Sequence, residues 1–170
     1  MFFELRDGTP VCVRPIRPDD KALLSEGLRQ LSNETIRKRF LAAKPRFSSS
    51  ELRYLTEIDG VNHIALVAVM CEADAPGGLV AVARCVRLPE APDTAEMAIV
   101  VGDPYQGIGI GTALAKALAD AALAQGIRHF AATMLADNEP ARRLMRTFAR
   151  RLHEGIVSGG VREVRAELAA

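Results

Sequence analysis

Seven residues in the middle of the chain have types and spacing suited to holding an anion. They follow an apolar run over residues 95–101, and they are Gln106, Gly107, Ile108, Gly109, Ile110, Gly111 and Thr112. Beyond them, apolar residues recur at three- and four-residue spacing, which predicts a helix that begins in the glycine stretch. Backbone N–H groups in the first turn of a helix have no intrahelical partner, and the helix dipole is positive there. The order therefore predicts a strand, a loop and a helix that together bind a phosphate.

Two common phosphate-binding motifs do not fit this stretch. A dinucleotide fingerprint needs the spacing G-x-G-x-x-G, and Gly111 comes one residue too early for its third glycine. A P-loop needs a lysine before its serine or threonine, and Thr112 follows Gly111 directly. The pattern that remains is glutamine-x-x-glycine-x-glycine after a buried strand, with a plain glycine-rich turn as the alternative.

This remaining pattern resembles the acetyl-CoA-binding motif of the GNAT superfamily of N-acetyltransferases. The resemblance implies that the backbone of residues 106–112 cradles the diphosphate of acetyl-CoA, which would be the cosubstrate. It also implies that the pantetheine arm pairs with exposed backbone at Ala98, Ile99 and Val100, and that Asn138 is directed toward the cofactor. From the residues alone, Asn138 is equally suited to be the N-cap of the following helix.

Glu96 is the candidate catalytic base. An amine acceptor such as lysine, with a reference pKa near ~10.4, is protonated at neutral pH and must lose a proton before it attacks a thioester. Glu96 is the only carboxylate in residues 95–101, and strand alternation places it on the same face as Ala98 and Val100. Apolar neighbours would desolvate it and favour its role as a base. GNAT enzymes that acetylate proteins resemble this chain in having a glutamate at the matching strand position; the alternative is a solvated glutamate paired with Arg84 or Arg87.

One position departs from the GNAT pattern. Many members have a tyrosine, seven residues after the asparagine, that protonates the departing thiolate, and Met145 stands there in this chain. Either water protonates the thiolate, whose pKa near ~8.5 makes it a tolerable leaving group unaided, or catalysis is weak. Cys85 could support a covalent acetyl-enzyme, but we expect it to be a buried structural cysteine.

Composition excludes several other classes of protein. The chain has 170 residues, 49% of them hydrophobic and 25% charged, which is typical of one globular domain. A formal net charge of +1 gives no indication of a nucleic-acid or membrane partner. The charged N-terminus does not resemble a signal peptide, so a cytoplasmic location is expected. The three cysteines and three histidines are scattered, and neither a disulfide framework nor a metal site is predicted.

The order of elements predicts a single α/β domain of the α+β type over residues 1–170. An N-terminal strand pair is followed by helices that start near Pro18, Ser32 and Ser48, and then by three antiparallel strands. The central helix, a parallel strand, a helix after Asn138 and a final hairpin complete the chain. This order resembles the GNAT fold, which implies a mixed, mostly antiparallel sheet of six to seven strands flanked by helices, with a splayed parallel pair.

The first part of the chain narrows the resemblance but leaves the acceptor open. Residues 5–9, 14–20 and 31–40 resemble the acetyltransferase domain of bacterial protein-lysine acetyltransferases, which often carry a second domain for which this chain has no room. The resemblance implies transfer of acetyl to a primary amine, either a protein lysine or a small molecule. A non-catalytic acyl-CoA-binding module is the alternative. The sequence does not decide between a monomer and a homodimer.

Overall fold

The computed structural model describes residues 2–5, 8–71 and 78–169. Within these ranges eight strands form one sheet, in the order β1-β2-β3-β4-β5-β6-β8-β7. The strands are β1 Phe2–Glu4, β2 Pro10–Pro15, β3 His63–Met70, β4 Leu79–Leu88, β5 Ala91–Val101, β6 His129–Leu135, β7 Ala149–Glu154 and β8 Val161–Leu168. All neighbours are antiparallel except β5 and β6, as expected.

The sheet is larger than the six to seven strands predicted. The N-terminal strand is Phe2–Glu4, which lies before the predicted one and pairs with β2 at Phe2 and Cys12. The residue types at positions 5–10 favour a short strand and turn; of these positions, 5 and 8–10 are described, and Leu5 N donates to Thr9 O over 2.9 Å. The sequence Ala-Pro-Gly-Gly at residues 75–78 favours a turn, but these residues, except for Gly78, lie outside the described ranges.

Five α-helices in the described part of the chain connect or cover the strands. They are α1 Lys21–Arg29, α2 Asn33–Phe40, α3 Ser49–Thr56, α4 Ile110–Ala124 and α5 Glu139–Arg146, with short 3-10 turns at Pro18–Asp20 and Asp103–Tyr105. The predicted helix start near Ser48 is confirmed, and a capping box forms it: Ser48 Oγ accepts from Glu51 N and the Glu51 carboxylate accepts from Ser48 N. None of the described helices has the length and apolar character that a membrane crossing requires.

The two faces of the sheet have different covers. Helices α4 and α5 pack on one face around a core that contains Leu114, Leu118, Phe130 and Val164, all inaccessible to solvent. On the other face, α1 and α3 cover a smaller core with Val67 at its centre. Side chains at alternate positions of β5 therefore face different halves of the molecule.

The parallel strands β5 and β6 separate part of the way along their length. Their pairing runs from Thr94 and His129 to Glu96 and Ala131 and stops there. Strand β5 continues to Val101 and remains paired with β4, while β6 continues to Leu135 and remains paired with β8. The expected splayed pair is therefore present, and backbone groups of β5 beyond Glu96 face the gap without a strand partner on that side.

The cysteines correct one sequence-based expectation. Cys12 on β2 and Cys71 just after β3 form a disulfide across the strand pair, with Cα atoms 5.6 Å apart. The spacing of 59 residues between them gave no sign of this. Cys85 is fully buried, as expected, and burial raises the pKa of its thiol to about 12. Its thiolate is therefore scarce at neutral pH, which supports a structural role.

Candidate active site

The glycine stretch forms the start of α4 and presents free backbone donors. Gly107 and Gly109 have φ angles of +75° and +92°, a region that side chains with a Cβ rarely adopt. The first helical hydrogen bond runs from Ala113 N to Gly109 O over 3.1 Å, and no side chain caps the helix. The N–H groups of Ile110, Gly111 and Thr112 are consequently without an intrahelical acceptor, which is the arrangement expected for a phosphate site.

The glycines serve two different purposes. No heavy atom lies within 4 Å of the Cβ position at Gly107 or Gly109, so their backbone conformation and the open space around them are what require glycine. At Gly111, by contrast, a Cβ would stand 3.2 Å from Val101 Cγ2, so this glycine lets α4 pack closely against β5.

A polar clasp, formed by Asp103 with Ser32 and Thr35, ties the loop to helix α2. The Asp103 carboxylate accepts from Ser32 N over 2.9 Å, from Ser32 Oγ over 2.7 Å and from Thr35 Oγ1 over 2.8 Å. Partial burial opposes ionisation, but these hydrogen bonds prevail and lower the pKa of Asp103. Gln106 Nε2 adds bonds to Thr35 Oγ1 at 3.2 Å and to Val101 O at 3.1 Å. The clasp was not predicted, because its partners lie about 70 residues apart.

A cleft leads from the loop to the point where the strands separate. It has a volume of about 490 Å³ and is lined by the glycine loop, the end of β5 and the start of α5. It adjoins a cavity of about 270 Å³ in the fork between β5 and β6, and Ile99, Asn138 and Leu144 line both spaces. The predicted anion loop and the predicted base are therefore connected by one continuous path.

Asn138 lies at the junction of these spaces. It is buried, and its Oδ1 accepts from Ala141 N over 3.3 Å. The N-cap role that the sequence suggested is therefore confirmed, while a contact with the cofactor stays a prediction.

Glu96 lies at the fork itself, as the last residue of β5 that is paired with β6. It lines the fork cavity, but the expected burial among apolar neighbours is wrong, because the residue is exposed. The alternative ion pair of Glu96 with Arg84 or Arg87 is wrong as well. Among the described residues, Arg84 donates to Leu55 O and contacts His63. Arg87 bonds to Asn62 and to backbone oxygens. Arg39 is a cation near Glu96. Burial lowers the pKa of Arg39, and the negative charge of Glu96 offsets part of this lowering.

Met145, at the position where many GNAT enzymes have a tyrosine, also lines the fork cavity and is buried. Of the two tyrosines, Tyr105 lines the larger cleft, whereas Tyr54 lies on α3 and is 58% exposed. Within the described fork cavity, no tyrosine takes the place of Met145 as a proton donor.

A helix N-terminus with free donors, a forked strand pair and a carboxylate at the fork therefore lie along connected spaces. Comparison with known proteins specifies the family. Residues 29–149 match the sequence model of the acetyltransferase (GNAT) family, and the chain belongs to that family. The resemblance to the GNAT family is thereby confirmed.

Two relatives have related sequences. Acetyltransferase Pat of Mycolicibacterium smegmatis is 37% identical over 142 residues, which are 84% of this chain and 41% of that protein. Acetyltransferase PA5475 of Pseudomonas aeruginosa is 31% identical over 140 residues, which are 82% of this chain and 74% of that protein. The chain thus spans less than half the length of the Pat relative.

Two solved structures have the same fold. The GNAT domain of S. lividans PAT superposes with a TM-score of 0.84 at 31% identity, covering 99% of this chain and 96% of that one. Spermidine N-acetyltransferase from Vibrio cholerae, in complex with CoA and spermine, superposes with a TM-score of 0.67 at 16% identity. It covers 93% of this chain and 95% of that one, a likeness of fold alone.

Proposed function

We propose that this chain is an acetyl-CoA-dependent N-acetyltransferase that acts on a primary amine. The observation that carries the proposal is the end of β5–β6 pairing at Glu96, where the fork opens into the cleft that leads to the glycine loop. Family membership supports the same reaction. A protein lysine and a small-molecule amine both fit this proposal as acceptors.

In this proposal the cosubstrate binds through the chain's backbone. The diphosphate of acetyl-CoA accepts hydrogen bonds from the loop and from the free N–H groups at the start of α4, at residues 107–112. The pantetheine arm lies along β5 and pairs with Ala98, Ile99 and Val100, completing the strand edge that β6 leaves open. Asn138 donates from its amide nitrogen toward this arm while its oxygen caps α5.

Glu96 then serves as the general base at the fork. Its carboxylate takes a proton from the acceptor ammonium, directly or through one water, and the neutral amine attacks the thioester carbon. A backbone N–H of β5 stabilises the oxyanion, a contribution of roughly 3 kcal/mol for a single donor. The tetrahedral intermediate collapses, so that a C–N bond has formed, the C–S bond has broken, and coenzyme A leaves as a thiolate. The nitrogen, which became positively charged on attack, loses its second proton to water, and because Met145 has no proton to give, water returns a proton to the thiolate.

The test measures thiol release from acetyl-CoA with a panel of amines and lysine peptides. We expect Glu96→Gln to lower kcat by about 10²- to 10⁴-fold and to leave the Kd for acetyl-CoA unchanged, because the base acts only in the chemical step. Glu90→Gln, an exposed carboxylate in the β4–β5 turn, is the matched control and should keep full activity. Equal activity of wild type and Glu96→Gln would exclude Glu96 as the base.

The buried Met145 in the fork cavity favours a second candidate, a non-catalytic acyl-CoA-binding module. Such a module predicts tight binding of acetyl-CoA by calorimetry and no thiol release with any amine or peptide. The same panel therefore distinguishes the two candidates, provided that binding is measured on the same preparation.

A further inference from the structure

A third cavity opens on the sheet face that carries Glu96. It has a volume of about 120 Å³ and lies between helices α1–α3 and strands β4 and β5. Most of its wall is apolar, with contributions from Leu28, Phe40, Phe47, Leu55, Val82 and Ala98. Two arginines, Arg39 and Arg84, also line it. Two cationic side chains in a small apolar cavity are unusual, because a buried charge without a partner destabilises the folded protein.

Arg84 is buried, with 7% of its surface exposed, and has no anionic partner among the described residues. Its Nη1 donates to Leu55 O over 3.1 Å and contacts His63 Nε2, also at 3.1 Å. Burial, together with the nearby Arg84 charge, lowers the pKa of His63 to about 4, so the ring is neutral at neutral pH and Nε2 accepts. Burial and the charge of Arg39 lower the pKa of Arg84 to about 10, which leaves the guanidinium charged.

Arg39, like Arg84, has no carboxylate bonded to it among the described residues. Its guanidinium lies 4.9 Å from the centroid of the Phe40 ring, and within the described residues it forms no ion pair. Glu96 is the carboxylate whose charge reaches it. Asp103 lines the same cavity, but its carboxylate accepts three hydrogen bonds from Ser32 and Thr35. Among the described residues that line this cavity, two are arginines, and the one carboxylate, Asp103, is already hydrogen-bonded.

The register of the strands places this cavity next to the proposed base. Arg84 lies opposite Ala98, which is two residues from Glu96 on the same face of β5. Diagonal neighbours of this kind have Cα atoms about 7–8 Å apart. A small molecule with two to four carbons between its charged ends has a length of this order.

We propose that this cavity binds the carboxylate of the acceptor, which is a small amine with a carboxylate a few carbons from its nitrogen. Arg84 and Arg39 hold the carboxylate, a partner that matches the planar fork of a guanidinium. The apolar wall covers the carbon chain, and the amine points toward Glu96. This inference rests on the proposed acetyl transfer only for the role of Glu96, since the carboxylate subsite can be tested separately.

The kinetic test compares acceptors that differ only in charge: β-alanine with its amide, and 4-aminobutyrate with its amide. We expect wild type to use each acid with a kcat/KM at least about tenfold above that of its amide. Arg84→Gln should bring this ratio close to one without a change in KM for acetyl-CoA, and Arg84→Lys should restore part of it. Arg53→Gln, an exposed arginine on α3, is the control and should keep the wild-type ratio. Thermal unfolding of each variant shows whether it is folded.

A binding test without acetyl-CoA separates this inference from the proposed function. Calorimetry should show saturable binding of 4-aminobutyrate to wild type, weakened at least about tenfold in Arg84→Gln and in Arg39→Gln. If no amine is acetylated but this binding is found, the carboxylate subsite stands and the acetyl transfer fails. If acids and amides are acetylated equally, or Arg84→Gln lowers both equally, the subsite is refuted and the acetyl transfer stands. Acetylation of lysine peptides alone, independent of Arg84, would also refute it.

Discussion

Replacing Gly109 by alanine tests whether the loop at the start of α4 holds the diphosphate. Gly109 has a φ angle of +92°, and nothing lies within 4 Å of its Cβ position, so the added methyl group meets strain but no clash. The left-handed conformation costs an alanine about 1–2 kcal/mol. For a chain of this size, each kcal/mol of lost stability lowers the Tm by about 2–4 °C. We therefore expect Gly109→Ala to unfold about 2–8 °C below wild type.

The chain offers a matched control at the other end of the same helix. Gly126, which follows α4, has a φ angle of +78° and equally open space at its Cβ position. Gly126→Ala should lower the Tm by a similar amount, because the backbone strain is of the same kind. Any additional effect of Gly109→Ala is then due to its position in the loop and not to strain.

That additional effect should appear in the affinity for acetyl-CoA. Three N–H groups at the start of α4 have no intrahelical acceptor, and a hydrogen bond to a charged group contributes about 1.5 kcal/mol or more. A methyl group that displaces the diphosphate from one to three of them raises the Kd by about tenfold to a thousandfold. Calorimetric titration with acetyl-CoA measures this. An unchanged Kd for Gly109→Ala, or an equal rise for Gly126→Ala, would refute the assignment of the loop.

Three further predictions concern the frame of the site. Asp20 is buried and accepts from both Nη atoms of Arg14 at 2.7 Å, so Asp20→Ala should lower the free energy of unfolding by about 3 kcal/mol in urea denaturation. His63 has a folded pKa of about 4, below its unfolded value of about 6.5, so the unfolded state binds the proton first and stability falls as the pH drops from 6.5 to 4. His63→Gln should flatten this part of the profile of Tm against pH. Reduction of the Cys12–Cys71 disulfide should remove about 4 kcal/mol, because it closes a loop of 59 residues.

Each of these predictions has a control or an outcome that would contradict it. Asp19→Ala changes an exposed carboxylate beside Asp20 and should stay within about 0.5 kcal/mol of wild type. A profile of Tm against pH that His63→Gln leaves unaltered would contradict the assignment. For the disulfide, a reductant should not further destabilise a variant that already lacks Cys12. If reductant does not change the Tm of wild type, the disulfide contributes nothing to the stability of the folded protein.

Several features of the site could be predicted from the sequence because they depend on near neighbours along the chain. The positive φ angles of Gly107 and Gly109 follow from residue type at the start of a helix. The capping box of Ser48 and Glu51 spans three residues, and the alternation that places Glu96 on one face of β5 has a period of two. The parallel pairing of β5 with β6 follows from the helix between them.

Contacts between distant parts of the chain were decided by the tertiary structure alone. Asp103 contacts Ser32 across 71 residues, and Cys12 is bonded to Cys71 across 59. Arg84 contacts His63 and lines a cavity whose other wall comes from the early helices. The exposure of Glu96 belongs with these, since it depends on where the strands part. The spacing of residues along a strand or helix determines which face a side chain lies on. The residues that pack against that face are determined by the tertiary structure, and the periodicity of the sequence does not indicate them.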